Sequence, residues 1–160
     1  GLYCLPRHGE ALAKLKSATR KEFLWHEVAE KPPQLPLYLL LAANAQRTAA
    51  QLSCHQAIAG VSCFSLAMVA EFDDHVAESP WKYRELFWEA GAIGLVLYLE
   101  AEACFTRGTG IGCYFDDPVH NLLGLEDRQF QSLYHFTVGG AVNDSRIANL
   151  PPYSRTNNRK

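Results

Sequence analysis

The sequence has few charges of either sign and no long apolar run. Charged residues make up 20% of its 160 residues, and the formal net charge is -2. A surface that neutralises the phosphates of a nucleic acid needs a cationic excess, so we expect no nucleic-acid partner. The longest apolar stretches, Leu35 to Ala43 and Ala90 to Leu99, have half of the ~20 residues that a membrane-spanning helix needs. No secretory signal is visible at the start, so we expect a soluble cytoplasmic protein without a membrane partner.

Motifs for metal, nucleotide and thiol chemistry are also missing. The six histidines include no pair at i and i+4 and no His-Glu-x-x-His, so we expect no metal site. The chain has no Gly-Lys-Ser or Gly-Lys-Thr, which excludes a P-loop, and Cys113 stands where a dinucleotide fingerprint needs its third glycine. The five cysteines are odd in number and include no Cys-x-x-Cys pair, so we expect reduced thiols.

The length and the N-terminus suggest one incomplete domain. Hydrophobic residues make up 48% of the chain, an ordinary globular share. The chain begins at Gly1, its only methionine is Met68, and its first residues resemble the middle of a domain. We therefore expect a single domain over residues 1–160 that is truncated at its N-terminus.

Hydrophobic periodicity and turn residues predict a mixture of helices and strands. The predicted elements are a helix from Arg7 to Ala18, a linker from Lys31 to Pro36, a strand from Leu37 to Leu41, a helix from Ala45 to Ala59 capped by Asn44, a strand in preference to a helix from Cys63 to Phe72, a glycine-rich turn from Gly108 to Gly112, a helix from Asp117 to Leu123 ended by Gly124, a strand from Ser132 to Val138, and an extended tail from Ile147. Strands at irregular spacing beside helices indicate an α+β fold.

One long helix is predicted from Trp81 to Phe105, where apolar residues recur at steps of three or four. Between Ala90 and Leu99 the helix is apolar on every side, so we expect this stretch to be buried between other elements. Ala90, Gly91 and Gly94 lack bulk at successive turns, which favours close approach by another backbone or a flat ligand.

Several blocks of the chain match a known family in order. They are Tyr83-Arg84-Glu85-Leu86-Phe87-Trp88-Glu89-Ala90-Gly91, Leu97-Tyr98-Leu99-Glu100-Ala101-Glu102-Ala103, Gly108-Thr109-Gly110-Ile111-Gly112-Cys113-Tyr114-Phe115-Asp116-Asp117 and Leu133-Tyr134-His135-Phe136-Thr137-Val138-Gly139. With these blocks, the sequence from Leu35 to Tyr153 resembles the flavin-dependent nitroreductase superfamily. Within it, the chain is most similar to the SagB-type dehydrogenases, which oxidise azoline rings in peptide natural products.

The resemblance implies an antiparallel sheet flanked by helices, and a homodimer that holds FMN at the subunit interface. It places the cofactor near Gly108, Thr109, Gly110, Ile111 and Gly112, and it gives Arg146 or Arg155 a contact with the FMN phosphate. The family's early Arg-x-Ser-x-Arg segment, which grips that phosphate, is absent from these 160 residues. Its absence agrees with a chain that begins after the segment.

The resemblance therefore implies an FMN-dependent oxidoreductase. Such an enzyme moves hydride or electrons between a nicotinamide donor and an organic acceptor, or dehydrogenates a peptide heterocycle. No catalytic side chain is assigned, because in such enzymes the flavin performs the chemistry and the protein orients it. Two alternatives remain: a non-catalytic nitroreductase-like half that packs against a partner without its own flavin, and a binding module unrelated to flavin.

Overall fold

The computed structural model describes residues 1–148 and residue 150. In chain order the elements are β1 (Leu2–Cys4), α1 (Gly9–Ala18), β2 (His26–Glu27), β3 (Tyr38–Leu41), α2 (Gln46–Leu52), α3 (Ala57–Val61), β4 (Phe64–Glu71), α4 (Asp73–Glu78), α5 (Lys82–Ala103), β5 (Arg107–Ile111), α6 (Asp116–Leu123) and β6 (Phe130–Gly139). Within the described part of the chain, no helix is both long and apolar enough to cross a bilayer.

The strands form two antiparallel sheets of three strands each. The first has the order β1-β3-β2 and buries Leu40 of its central strand. The second has the order β4-β6-β5, so the last strand in the sequence lies between two earlier ones. This arrangement confirms the predicted strands at Leu37 to Leu41, Cys63 to Phe72 and Ser132 to Val138, within one or two residues at most ends.

The central strand β6 is covered on both faces. On one face Phe136 and Val138 pack with Ala101 of α5. On the other face Ser132, His135 and Thr137 are buried, and α3 and α6 contact the strand there. A strand that is covered on both sides has little exposed surface, and Phe136 is completely buried. The second sheet is therefore the core of the molecule.

The long helix α5 agrees in extent with the predicted helix, but it is not buried all round. Its buried residues are Leu86, Ala90, Gly94 and Ala101, which face the sheet. Trp88, Leu95 and Leu99 on the other side are 64%, 60% and 62% exposed. The expectation of burial between elements is wrong for the single chain, because the sheet and α4 cover one side of the helix and the described residues leave its other side exposed.

The residues from Gly108 to Ile111 form a strand and not the predicted turn, and Gly112 follows the end of that strand. The four strand residues pair with β6 in a continuous antiparallel register. Aromatic rings explain the glycines: a β-carbon at residue 108 would lie 2.8 Å from Phe136 Cζ, and one at residue 110 would lie 1.8 Å from Tyr134 Oη. Residues without side chains leave room for these rings beside the strand.

Two short helices replace the single helix predicted from Ala45 to Ala59. Ala45 is the N-cap of the first of these helices, and the predicted cap, Asn44, lies one residue before it, where its Oδ1 accepts a hydrogen bond from the Gln46 N–H at 3.0 Å. The chain then breaks after α2, because Cys54 and His55 adopt positive φ angles of 52° and 58°. These angles are left-handed and cannot continue a right-handed helix.

The helix predicted from Asp117 to Leu123 is confirmed as α6, and Gly124 ends it in the left-handed conformation with φ of 78°. Arg20 packs against this end: its backbone N–H donates to Leu123 O at 2.9 Å and its Nε donates to Leu122 O at 2.9 Å. A β-carbon at residue 124 would lie 2.6 Å from Arg20 Cγ. Both the backbone angle and the close contact require glycine at this position.

The packing of β5 gives a prediction about its glycines. Gly108→Ala should lower the free energy of unfolding by about 1–3 kcal/mol, since extra atoms in a filled core cost this much. Gly112→Ala is a matched control, because a β-carbon there meets nothing within 4 Å. The control should change stability by less than about 0.5 kcal/mol. Urea unfolding followed by circular dichroism measures both, and equal losses would contradict the packing argument.

Candidate functional site

Of the five residues expected near a flavin, the four from Gly108 to Ile111 alternate between the two faces of β5, and Gly112 follows the strand. Gly108 and Gly110 face α5, where rings of the chain itself fill the space beside them. Thr109 and Ile111 lie on the other face, and Ile111 is only 2% exposed. Gly112 is exposed and has open space beside it. Only Gly112 among the three glycines therefore offers an uncovered backbone to a ligand.

The expected phosphate ligands lie after the end of β6. The side chain of Arg146 is exposed and is held by Asp144, with Nε donating to Oδ1 at 2.9 Å and Nη2 donating to Oδ2 at 2.6 Å. This hydrogen-bonded pair lowers the pKa of Asp144 and raises that of Arg146. Arg155 lies outside the described residues. The chain leaves β6 at Gly139, opposite the start of β5, whereas Gly112 follows the other end of β5.

A buried polar cluster lies on the face of β6 opposite α5, and its centre is His135. Ser53 Oγ lies 3.3 Å from Nδ1 of the imidazole, and Ser132 Oγ lies 3.3 Å from Nε2. Tyr114 stacks on the imidazole with 4.2 Å between ring centroids and an interplanar angle of 10°. A neutral imidazole donates through one nitrogen and accepts through the other, and a serine hydroxyl can serve either role. Both ring nitrogens are therefore satisfied without water.

The environment of this cluster keeps His135 neutral. Burial lowers the pKa of His135 to about 4. Burial and then the charge of Asp116 raise the pKa of Tyr114 to about 12. His135 is 3% exposed and Ser53 is 1% exposed, so neither side chain is accessible from the surface. The cluster positions α2 and the segment after β5 against the sheet.

The sequence predicts the strand from Ser132 to Val138 but not this cluster. A register shift in the β4–β6 pairing, where Met68 faces Tyr134 and Val69 faces Ser132, places Leu133 in the core with Leu86 and Ala90. Ser132 and His135, three residues apart, then share the polar face. A strict period of two would have put Leu133 beside His135. The irregularity leaves no mark in the local sequence.

Cys54 and Cys113 form a disulfide, with their Cα atoms 5.8 Å apart and a sequence separation of 59 residues. The expectation that all thiols are reduced is therefore wrong for this pair, whereas Cys4, Cys63 and Cys104 are free. The fold brings the pair together across the α2–α3 connection and the end of β5, a proximity that sequence spacing does not encode. Burial raises the pKa of the Cys4 thiol to about 11, which keeps it protonated.

Two open surface grooves lie away from β5. One, of about 390 Å³, is lined by Asp73, Asp74 and Arg128 together with Val76 and Ala77. The other, of about 430 Å³, runs along α6 past His120 and Glu126. In the described part of the chain, no group of three or more His, Cys, Asp or Glu side chains is placed to hold a metal ion.

Comparisons with known proteins bear on the fold. Neither a protein-family model nor a curated protein matches the chain. A crystal structure of an Anabaena variabilis protein described as a nitroreductase matches with a TM-score of 0.60 and 24% identity, over 68% of this chain and 22% of that one. The chain has a nitroreductase fold. B. megaterium NfrA1 matches with a TM-score of 0.46 and 19% identity, over 91% of this chain and 64% of NfrA1, and the assignment does not depend on it.

The nitroreductase fold confirms the expected α+β class with an antiparallel sheet, flanking helices and one long helix. The chain spans about a fifth of the length of the Anabaena variabilis protein it matches. The positions expected near the flavin remain predictions.

The buried imidazole gives a prediction about pH. The pKa of His135 lies near 4 in the folded state and near 6.5 in the unfolded state, so the unfolded state binds more protons between these values. The contribution of His135 to stability is present above about pH 6.5 and declines as the pH falls towards about 4. Between about pH 7 and about pH 5 the loss is about 2 kcal/mol.

Urea unfolding at the two pH values tests this linkage. His135→Gln should remove most of the pH-dependent loss, whatever its effect on stability at neutral pH. His26→Gln is the control, because His26 is exposed on β2 and should leave the loss unchanged. If the wild type and His135→Gln lose the same stability, the buried imidazole is not the responsible group.

Proposed function

We propose that this chain is one nitroreductase-fold half of an FMN-dependent oxidoreductase. The observation that carries the proposal is the fold of β4, β6 and β5 against α5, together with the sequence blocks that resemble SagB-type dehydrogenases. Bound FMN would supply hydride or electron transfer between a nicotinamide donor and an organic acceptor, or from a peptide heterocycle. The chain would bind and orient the cofactor.

The described residues of this chain supply only part of a binding site for FMN. Gly112 offers open backbone, and Arg146 supplies a guanidinium of the kind that binds phosphate in a bidentate manner. The guanidinium is already paired with Asp144, so binding must displace that carboxylate. Arg107 is likewise paired with Glu102 at 2.9 Å. The remainder of the phosphate site must come from residues beyond those described or from a partner.

The exposed side of α5 supports a partner on that face. An apolar stripe, defined here as Trp88, Gly91, Ala92, Leu95 and Leu99, runs along the helix and is exposed throughout. Large contiguous apolar surfaces on a folded protein mark interaction sites. Leu95 and Leu99 would each be stabilised by burial, at about 25 cal/mol for each Å² removed from water.

A second copy of this chain is the occupant that the stripe fits. Arg84 and Glu102 are 18 residues apart, five turns at ~3.6 residues each, so they lie on the side of the helix that carries the stripe. Two antiparallel copies of α5 centred on Ile93 bring Arg84 beside the partner's Glu102. The same arrangement sets Leu95 against the partner's Gly91, where a β-carbon is missing. Such self-complementarity is what a two-fold interface requires.

Flavin binding tests the proposal, and it can be measured by the quenching of FMN fluorescence as the chain is titrated. We expect saturable binding, which Arg146→Ala weakens about tenfold through the loss of one charged hydrogen bond. Riboflavin, which lacks the phosphate, should bind wild type and variant alike. Arg128→Ala is the control, since Arg128 is also exposed and paired with a carboxylate, at 3.3 Å from Asp73.

An absence of saturable FMN quenching with the wild-type chain would overturn the flavin proposal. Equal losses of FMN and riboflavin affinity in Arg146→Ala would instead remove the arginine from the phosphate site.

The apolar stripe gives a separate prediction about assembly. Sedimentation equilibrium should give a mass twice the 17.9 kDa of the chain, and Leu95→Glu should reduce it to that of one chain by placing a charge in the interface. Leu24→Glu is the control, because Leu24 is 57% exposed and lies outside α5. A wild-type chain that sediments as a monomer would contradict the homodimer and leave a different nitroreductase-like half as the partner.

A non-catalytic half is the second candidate, and two observations favour it. The rings of Phe136 and Tyr134 account for Gly108 and Gly110 without any ligand. The guanidinium groups of Arg107 and Arg146 are already paired with carboxylates. A chain that dimerises through α5 but does not quench FMN fluorescence would select this candidate.

A further inference from the structure

The connection between α2 and α3 is fastened to the segment that follows β5. The disulfide joins Cys54 to Cys113 across 59 residues of sequence. The Phe115 N–H donates to Leu52 O at 2.9 Å, and Gln56 Nε2 donates to Cys113 O at 3.1 Å. Residues 52–56 and 113–115 therefore meet through one covalent bond and two hydrogen bonds. We refer to these two segments together as the corner.

The backbone of the corner is strained at two residues. Cys54 and His55 are consecutive residues with left-handed φ angles, and neither is glycine. In this region the β-carbon crowds the following carbonyl oxygen, so such residues persist only where surrounding contacts hold them. The disulfide is the one covalent bond among those contacts.

The corner covers the polar cluster of β6. Ser53 precedes Cys54 and contacts one nitrogen of His135, while Tyr114 follows Cys113 and stacks on the ring. Each cysteine thus adjoins a residue that shields the imidazole. The third contact, Ser132, belongs to β6 itself and does not depend on the disulfide.

We propose that the Cys54–Cys113 disulfide is a redox latch, which a dithiol reductant opens to free the corner from the sheet while β4, β5 and β6 remain folded. Cys113 is the more exposed of the two residues, and Cys54 is half-buried. The bond is therefore open to attack from solvent.

The chemistry is thiol–disulfide exchange with a dithiol. A thiolate of the reductant attacks one sulfur of the disulfide, a mixed disulfide forms, and the other protein cysteine leaves as a thiolate. The second thiol of the reductant attacks the mixed disulfide and releases the remaining cysteine. The two protein sulfurs gain two electrons and two protons in total, and the reductant becomes a disulfide.

Residue-resolved hydrogen exchange by NMR tests the latch on the full chain, with dithiothreitol as the reductant. A thiol count in denaturant first fixes the state: the structure has three free cysteines before reduction, and five thiols are expected after it. In the oxidised chain the Phe115 amide should be protected as well as the amides of β6. In the reduced chain it should exchange at least about tenfold faster than the β6 amides, because the corner opens locally.

Variants distinguish local opening from general destabilisation. The double variant Cys54→Ser/Cys113→Ser should reproduce the exchange pattern of the reduced chain. The control variant Cys63→Ser/Cys104→Ser should behave as the oxidised chain, because Cys63 and Cys104 are free and exposed in the wild type. If protection of Phe115 and of β6 falls in step on reduction, the disulfide only adds global stability and the latch is refuted. Unchanged protection of Phe115 would refute it equally.

Discussion

The burial of β6 on both faces is the constraint on which the rest of this structure depends. Phe136 and Val138 require α5 on one side, while His135 requires Ser53 and Tyr114 on the other. The two faces have different chemistry, apolar against the helix and polar against the corner. Because each neighbouring element satisfies one face of the same strand, the sheet fixes α2, α3, α5 and α6 together.

Elements whose cause is local could be predicted from the sequence. The long helix follows from apolar spacing and α6 from its start at Asp116–Asp117 and its end at Gly124, and both were recognised to within a few residues. The segment from Gly108 to Gly112 was not, because glycine usually marks a turn and the rings that require it here come from residues more than 20 positions later. The break at Cys54 depends on a partner 59 residues away.

The candidate site shows the same division. The family resemblance predicted a role for the glycines of β5 and for Arg146. The polar cluster around His135 could not be predicted, because it depends on a register shift in the sheet and on contacts with Ser53 and Tyr114. The exposed apolar stripe of α5 is a further feature that the sequence did not predict. The sequence predicted burial for the stretch of α5 that carries this stripe, and a second copy of the chain would bury it.

Native mass spectrometry of the chain in excess FMN tests the central claim most directly, since it counts chains and flavins in the same particle. The account predicts two chains that carry flavin, and a monomer peak without it, because pairing completes the site. A flavin-free dimer would contradict the claim that this nitroreductase-fold half belongs to a flavin enzyme. Flavin on the monomer would contradict the claim that pairing through α5 completes the site.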